Sequence, residues 1–318
     1  MTAPRPSVIP QNLALHGDEL IYETSRDASN EFKSQIEAQP IAGGAPRVVA
    51  TARVWTLWVE GDDIYYAIGA TLGQVPVVGG PTTETQLGSP APNAPILFNL
   101  LTPTDFIWVQ SSMGGDTDHS EIWSAARKGG EPRVLANIDS DEPIERSALA
   151  GDTVLVATAN AQTWAVPVAG GAPRPLAKPG PGLLGLEKDG AYGYQLKPPA
   201  FENYEMQLAP IDGSAALPFW PDLPPGVTPE SVWANGDAGW LVSALEIFDD
   251  GLPHRSIFLL DTTEKARRVA CSPSSSSIAR DGVSGPAVFT SDSAYVIYAN
   301  AADIRHITWS IIQVPLAH

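Results

Sequence analysis

Apolar and polar residues alternate in short runs along almost the whole chain, the period of two that belongs to half-buried β-strands. The stretch LWVEGDDIYYA (57–67) shows the unit: an apolar run, a turn containing Gly-Asp, then a run rich in Tyr, Ile and Val. Comparable stretches stand at 13–23, 100–110, 148–158, 186–196, 233–243 and 289–299. Their turn aspartates, Asp18, Asp62, Asp105, Asp152, Asp189, Asp237 and Asp292, are spaced between 37 and 55 residues apart, which suits a four-stranded repeat with loops of variable length.

A second pattern interleaves with the first. TWAVPVAGGAPRPLA (163–177) alternates apolar positions at Trp164, Val166 and Val168, turns at a Gly-Gly pair and continues as a short strand; 38–50 and 123–136 read alike. Paired glycines supply the positive φ angles of a tight two-residue hairpin turn, so each stretch predicts a hairpin. The turns fall at Gly43-Gly44, Gly79-Gly80, Gly129-Gly130, Gly170-Gly171, Asp212-Gly213 and, in degenerate form, near Thr262-Thr263. The seventh unit stops at Val314-Pro315, which matches Val166-Pro167, and APRPSV (3–8) matches APRPLA (172–177).

These counts predict an all-β protein: a seven-bladed β-propeller of four-stranded antiparallel blades, closed by the N-terminal strand joining the C-terminal blade. Such closure removes a free strand edge. One domain then covers 1–318, with blades at about 11–50, 53–88, 96–137, 145–178, 182–220, 230–271 and 286–318 plus 3–9. The alternative is six blades, which requires merging two of the aspartate turns.

The hairpin wording VPVAGGAPRPLA, with QPIAGGAPRVVA and RKGGEPRVLA, resembles TolB-like propeller repeats and, more closely, the repeats of bacterial proteins of myxobacterial type. The resemblance spans most of the chain, while the fifth and sixth units depart from it. It implies a fold and carries no catalytic residue.

Charge narrows the choice of partner. Asp and Glu number 36 against 19 Lys and Arg, a net charge of −17, which disfavours nucleic acid and anionic membrane as partners. No apolar run reaches the roughly 18 residues of a membrane span. The single cysteine, Cys271, excludes an internal disulfide and reads as a strand residue. The first ten residues lack a secretory apolar core, which leaves a cytoplasmic protein or a secreted one with its signal removed. A monomer is the expected state.

Candidate chemistry gathers on one face. In a propeller the loops joining second to third strands and those joining successive blades end together, and here these are the long ones: 24–33, 111–121, 197–205, 246–255 and 300–308 within blades, and 88–95, 137–147, 220–231 and 272–285 between them. The opposite face is built from short turns that leave little room for a site. His119, His254 and His306 lie in the long loops beside carboxylates, the material of a metal site or a general acid and base. DTDHSE offers Asp116, Asp118 and His119 as ligands for Ca or Zn, but it lacks the glycine and the final glutamate of a calcium loop. Trp55 and Trp233, placed near the upper ends of inner strands, would suit a sugar ring, a peptide or an organic cation. Arg305 and Glu145 complete the candidate ligand contacts. No nucleophile elbow, phosphate loop or H-E-x-x-H stretch is present. Two functions follow: a module binding a peptide, glycan, small molecule or protein on the acidic face, or a metal-assisted propeller hydrolase or lactonase.

Overall fold

The computed structural model describes residues 5–6, 12–25, 34–89, 94–112, 118–196, 204–220, 223, 226–234, 239–247, 253–261, 266–271, 282–301 and 307–316. They form seven four-stranded antiparallel sheets, and the chain is a seven-bladed propeller. Blades 1 to 6 occupy 13–52, 56–86, 96–140, 144–175, 182–220 and 227–271. Blade 7 takes its three inner strands from 282–315 and its outermost from Arg5–Pro6, with Arg5 opposite Trp309 and Pro6 opposite Thr308. The ring is thus closed by both ends of the chain.

Alternation along each strand turns one set of side chains towards each neighbouring blade, so the core consists of layers between blades. Seven hydrophobic clusters of described residues result, one at each boundary. Between blades 2 and 3, Phe106, Trp108 and Trp123 form a continuous stack, the last two ring centres 6.0 Å apart. Between blades 7 and 1, Tyr22 meets Trp309 edge to face at 5.7 Å. Burying an aromatic side chain of this size is worth about 2–3 kcal/mol, so this pair gives the closing boundary a firm core despite its two-residue outer strand.

The turns differ from the expected two-residue type. In blade 4 the Gly170 N–H donates to the Pro167 carbonyl at 2.8 Å, and Gly170 and Gly171 have φ of 91° and 141°. The turn therefore spans 167–170, and the glycines close it instead of forming its tip. The outer strand starts only at Arg174. The same bond recurs at Gly43, Gly79, Gly129 and Gly213.

The turn aspartates share a backbone contact. The carbonyls of Asp18, Asp62, Asp152, Asp189 and Asp292 each accept the N–H that follows the third strand, at 2.7 to 2.8 Å, adding a rung to the ladder. In blade 3 the acceptor is Thr104, so the equivalent position lies one residue before Asp105. Asp237 lies outside the described residues.

An arginine heads the outer strand in blades 1, 3 and 4 and reaches the hairpin of the following blade. Arg47 donates to the Val77 carbonyl at 2.8 Å, Arg133 to the Val168 and Ala169 carbonyls at 2.9 and 3.0 Å, and Arg174 to the Ile211 carbonyl. These are the arginines of the repeated G-G-x-P-R wording, and they tie successive blades together.

Candidate functional site

Every inner strand starts on the face that carries the long loops, so its first residues form the rim of the channel. In blades 3 to 6 the register of the inner strand breaks close to that rim, at Leu97, Glu145, Leu184 and Glu230. A bulge re-aims side chains and frees a backbone group from the ladder. Pro229, which has no N–H to give, is accommodated beside the blade 6 bulge.

Arg146 follows the blade 4 bulge and is partly buried. Its guanidinium donates at 2.9 Å to the carbonyl of Leu184, the bulge residue of blade 5. Burial pulls its pKa below the usual guanidinium value, while the neighbouring Glu145 carboxylate works the other way. Glu145 itself is exposed.

Trp55 stands immediately before the inner strand of blade 2 (Thr56–Glu60) and is held from both sides. Its N–H donates to the Ala67 carbonyl at 2.8 Å, and its carbonyl accepts the Asn12 side-chain amide at 3.2 Å. Asn12 is fixed in turn: its side-chain oxygen accepts the Leu57 N–H at 3.2 Å, and its own N–H donates to the buried Glu23 carboxylate at 3.1 Å. The backbone is pinned while the residue stays 48% exposed. An exposed side chain on a fixed backbone has less freedom to lose on contact than one carried by a mobile segment.

Trp233 is placed differently from the expectation. It is the penultimate residue of its strand (Val227–Ala234), at the turn-bearing end, and packs against the cluster between blades 6 and 7. The strand begins earlier than the apolar pattern suggests, which moves Trp233 away from the rim.

Of the candidate histidines, His119 and His254 lie on the third strands of blades 3 and 6, away from the inner strands that line the channel. His119 pairs through Nδ1 with Asp139 at 2.7 Å, and both are substantially exposed. Asp118 precedes it at the start of the same strand. His254 lies in register with Glu246 in blade 6, three blades away. Glu246 accepts bonds from Ser256 and Arg268, and Arg255 grips Glu230 with two nitrogens at 2.8 and 3.1 Å. Among the described residues no three His, Cys, Asp or Glu side chains gather to hold a metal ion. Asp116, Arg305 and His306 lie outside the described residues.

The turn-bearing face corrects another expectation. A cavity of 490 Å³ opens there between blades 2 and 3, with Arg127 and Lys128 in its lining. Short turns do not fill the wedge between two diverging blades. The rim arginine, Arg146, was also not singled out by sequence; its only signal is a cation, in ERSALA, at the head of an inner strand.

No family model matches the chain, and no curated protein matches it in sequence. Solved structures share the fold at low identity. An acylaminoacyl peptidase in complex with Z-Gly-Gly-Phe-chloromethyl ketone is 10% identical with a TM-score of 0.61, over 98% of this chain. The chain spans about half, 52%, of that protein's length. The WD40 domain of Neurospora crassa Pan2 is 9% identical with a TM-score of 0.55, over 98% of this chain and 90% of that one. Polysaccharide lyase Uly1 is 8% identical with a TM-score of 0.54, over 99% and 92%. These likenesses belong to the propeller scaffold and favour no one propeller family. Among the described residues no helix is long and apolar enough to cross a membrane.

Proposed function

We propose that the protein is a binding module whose loop-bearing face receives a basic peptide segment, with the Trp55 indole as the aromatic anchor. The observation that carries the reading is the pinned backbone and exposed ring of Trp55. A Lys or Arg side chain over an indole face gains about 0.5–2 kcal/mol, and the net charge of −17 draws such a ligand towards the surface. Two blade 6 arginines do not oppose it, since Arg255 is matched by Glu230 and Arg268 by Glu246, and the rim arginine Arg146 is turned to the Leu184 carbonyl.

The test is a binding screen of the full chain against Lys- and Arg-containing peptides, neutral peptides and neutral oligosaccharides, repeated at high salt and with Trp55→Ala. The reading requires basic peptides to bind, to weaken with salt, and to lose about tenfold or more in affinity with the alanine variant. Preferential binding of neutral oligosaccharides, or basic-peptide binding indifferent to Trp55, overturns it.

A further inference from the structure

The boundary between blades 2 and 3 lacks the arginine tie of its neighbours. Strand register identifies the missing residue: Thr83 lies opposite Gln74 as Arg47 lies opposite Ala38, Arg133 opposite Ser124 and Arg174 opposite Ala165. A threonine is too short to reach the next hairpin. The tie runs backwards instead, from Arg127 in the blade 3 hairpin to Glu60 at the foot of blade 2. The Arg127 guanidinium lies over the Tyr65 ring at 4.9 Å. Beside it lies the 490 Å³ cavity, with Thr83 in its lining.

The walls of this cavity are rich in uncommitted donors. Tyr65, Gln74, Thr83 and Thr85 line it, and their side-chain polar groups form no hydrogen bond among the described residues. Lys128 is exposed and forms no ion pair among them. Arg127 has its Nε buried without an acceptor. Two cations therefore meet one paired carboxylate, in a protein that is otherwise strongly acidic. The volume falls within the range of about 300–1,000 Å³ typical of small-molecule sites.

We infer that this cleft binds a small organic oxyanion of monosaccharide size. Lys128 and Arg127 hold the carboxylate or phosphate, a charge-assisted contact, and the hydroxyls of Tyr65, Thr83 and Thr85 with the Gln74 amide hold the polar body. The site is on the opposite face from Trp55 and does not depend on the peptide reading.

Calorimetric titration of the full chain with D-glucuronate, glucose 6-phosphate, glucose and inorganic phosphate tests it. At least one of the two anionic sugars binds, and whichever is tighter identifies the oxyanion; glucose and phosphate alone each bind about tenfold or more weakly. Lys128→Ala lowers the affinity about tenfold with an unchanged melting temperature, Thr83→Arg fills the cleft and abolishes binding, and Trp55→Ala has no effect. The inference fails if neither anionic sugar binds at millimolar concentration, if glucose matches them, if phosphate alone matches them, or if Lys128→Ala leaves the affinity unaltered.

Discussion

The indole N–H of Trp240 donates to the hydroxyl of Tyr192 at 2.8 Å, joining blade 6 to blade 5, and that hydroxyl donates at 2.6 Å to the carboxylate of Asp189. The tyrosine is fully buried, and its ring packs at 4.9 Å against Phe219. One phenol oxygen thus serves two partners. Tyr192→Phe leaves both unpaired and is expected to lower stability by about 2–4 kcal/mol, whereas Phe219→Leu, which removes no polar partner, costs about 1–2 kcal/mol. Denaturant unfolding of the two variants measures the difference.

Alkaline pH should weaken the ring. Burial, followed by the hydrogen bond to Glu84, pushes the Tyr66 phenol up to about 12 from 10.0. Burial likewise drives Tyr192 upwards, with Asp189 adding to the effect. The unfolded chain loses these protons first; the Tyr66 contribution is complete below pH 10 and disappears as pH rises through about 12. For Tyr66 alone the loss is at most about 2–3 kcal/mol. Stability measured from pH 9 upwards should fall less steeply in Tyr66→Phe.

The arginine ties are modest individually. Arg133→Ala removes two bonds to backbone carbonyls at a solvated boundary and should cost about 1 kcal/mol. Arg47→Ala also breaks a two-nitrogen pairing with Glu19 at 2.6 and 3.2 Å and should cost about 1–2 kcal/mol. Hydrogen exchange would place the effect at the boundary that each tie spans.

Ala161 is fully buried with φ of 64°, in the tight turn where its N–H donates to the Thr158 carbonyl. A left-handed conformation costs an alanine about 1–2 kcal/mol, close to what its buried methyl and reduced chain entropy return. Ala161→Gly should therefore be neutral to within about 0.5 kcal/mol, and Ala161→Val should lose about 3 kcal/mol or more. Equal destabilisation by both would refute the account.

Asn12 sets the Trp55 backbone, so its truncation should act in two ways. Asn12→Ala strips partners from the Trp55 carbonyl and the Leu57 N–H, at about 1–3 kcal/mol, while Trp55→Ala changes stability by less than about 1 kcal/mol because the ring is exposed. Both variants should weaken basic-peptide binding. Loss of binding in Asn12→Ala with a native fold would identify positioning, not contact, as its role.

Much of the architecture was legible because it is written seven times. The aspartate turns and the match of APRPSV to APRPLA gave the blade number and the closing strand, and Arg5 opposite Trp309 realises that closure. Local geometry was harder to read. A Gly-Gly pair is compatible with a two-residue turn or with a wider one ending in glycine, and only the bond from Gly170 to Pro167 separates them. The dipeptide Thr104-Asp105 concealed a one-residue offset. GVTPES reads as a connector because of Pro229, whereas the strand starts at Val227, which carries Trp233 to the opposite end. The cleft had a visible signal, since G-G-P-T-T breaks the wording at the arginine position, but its consequence requires knowing what that arginine touches.

Pairing the first strand with the last also imposes an order of events on the newly made chain. Arg5 leaves the ribosome long before Trp309, by roughly 15–60 s at ordinary rates of synthesis, and during that interval its partner does not exist. The first six blades have every strand in hand as they emerge; the seventh does not, and its last strand presents an open edge until the N-terminal segment arrives. In a crowded polysome that segment can be supplied by a neighbouring copy as well as by its own chain, which makes exchange of the closing strand the characteristic assembly error of this ring.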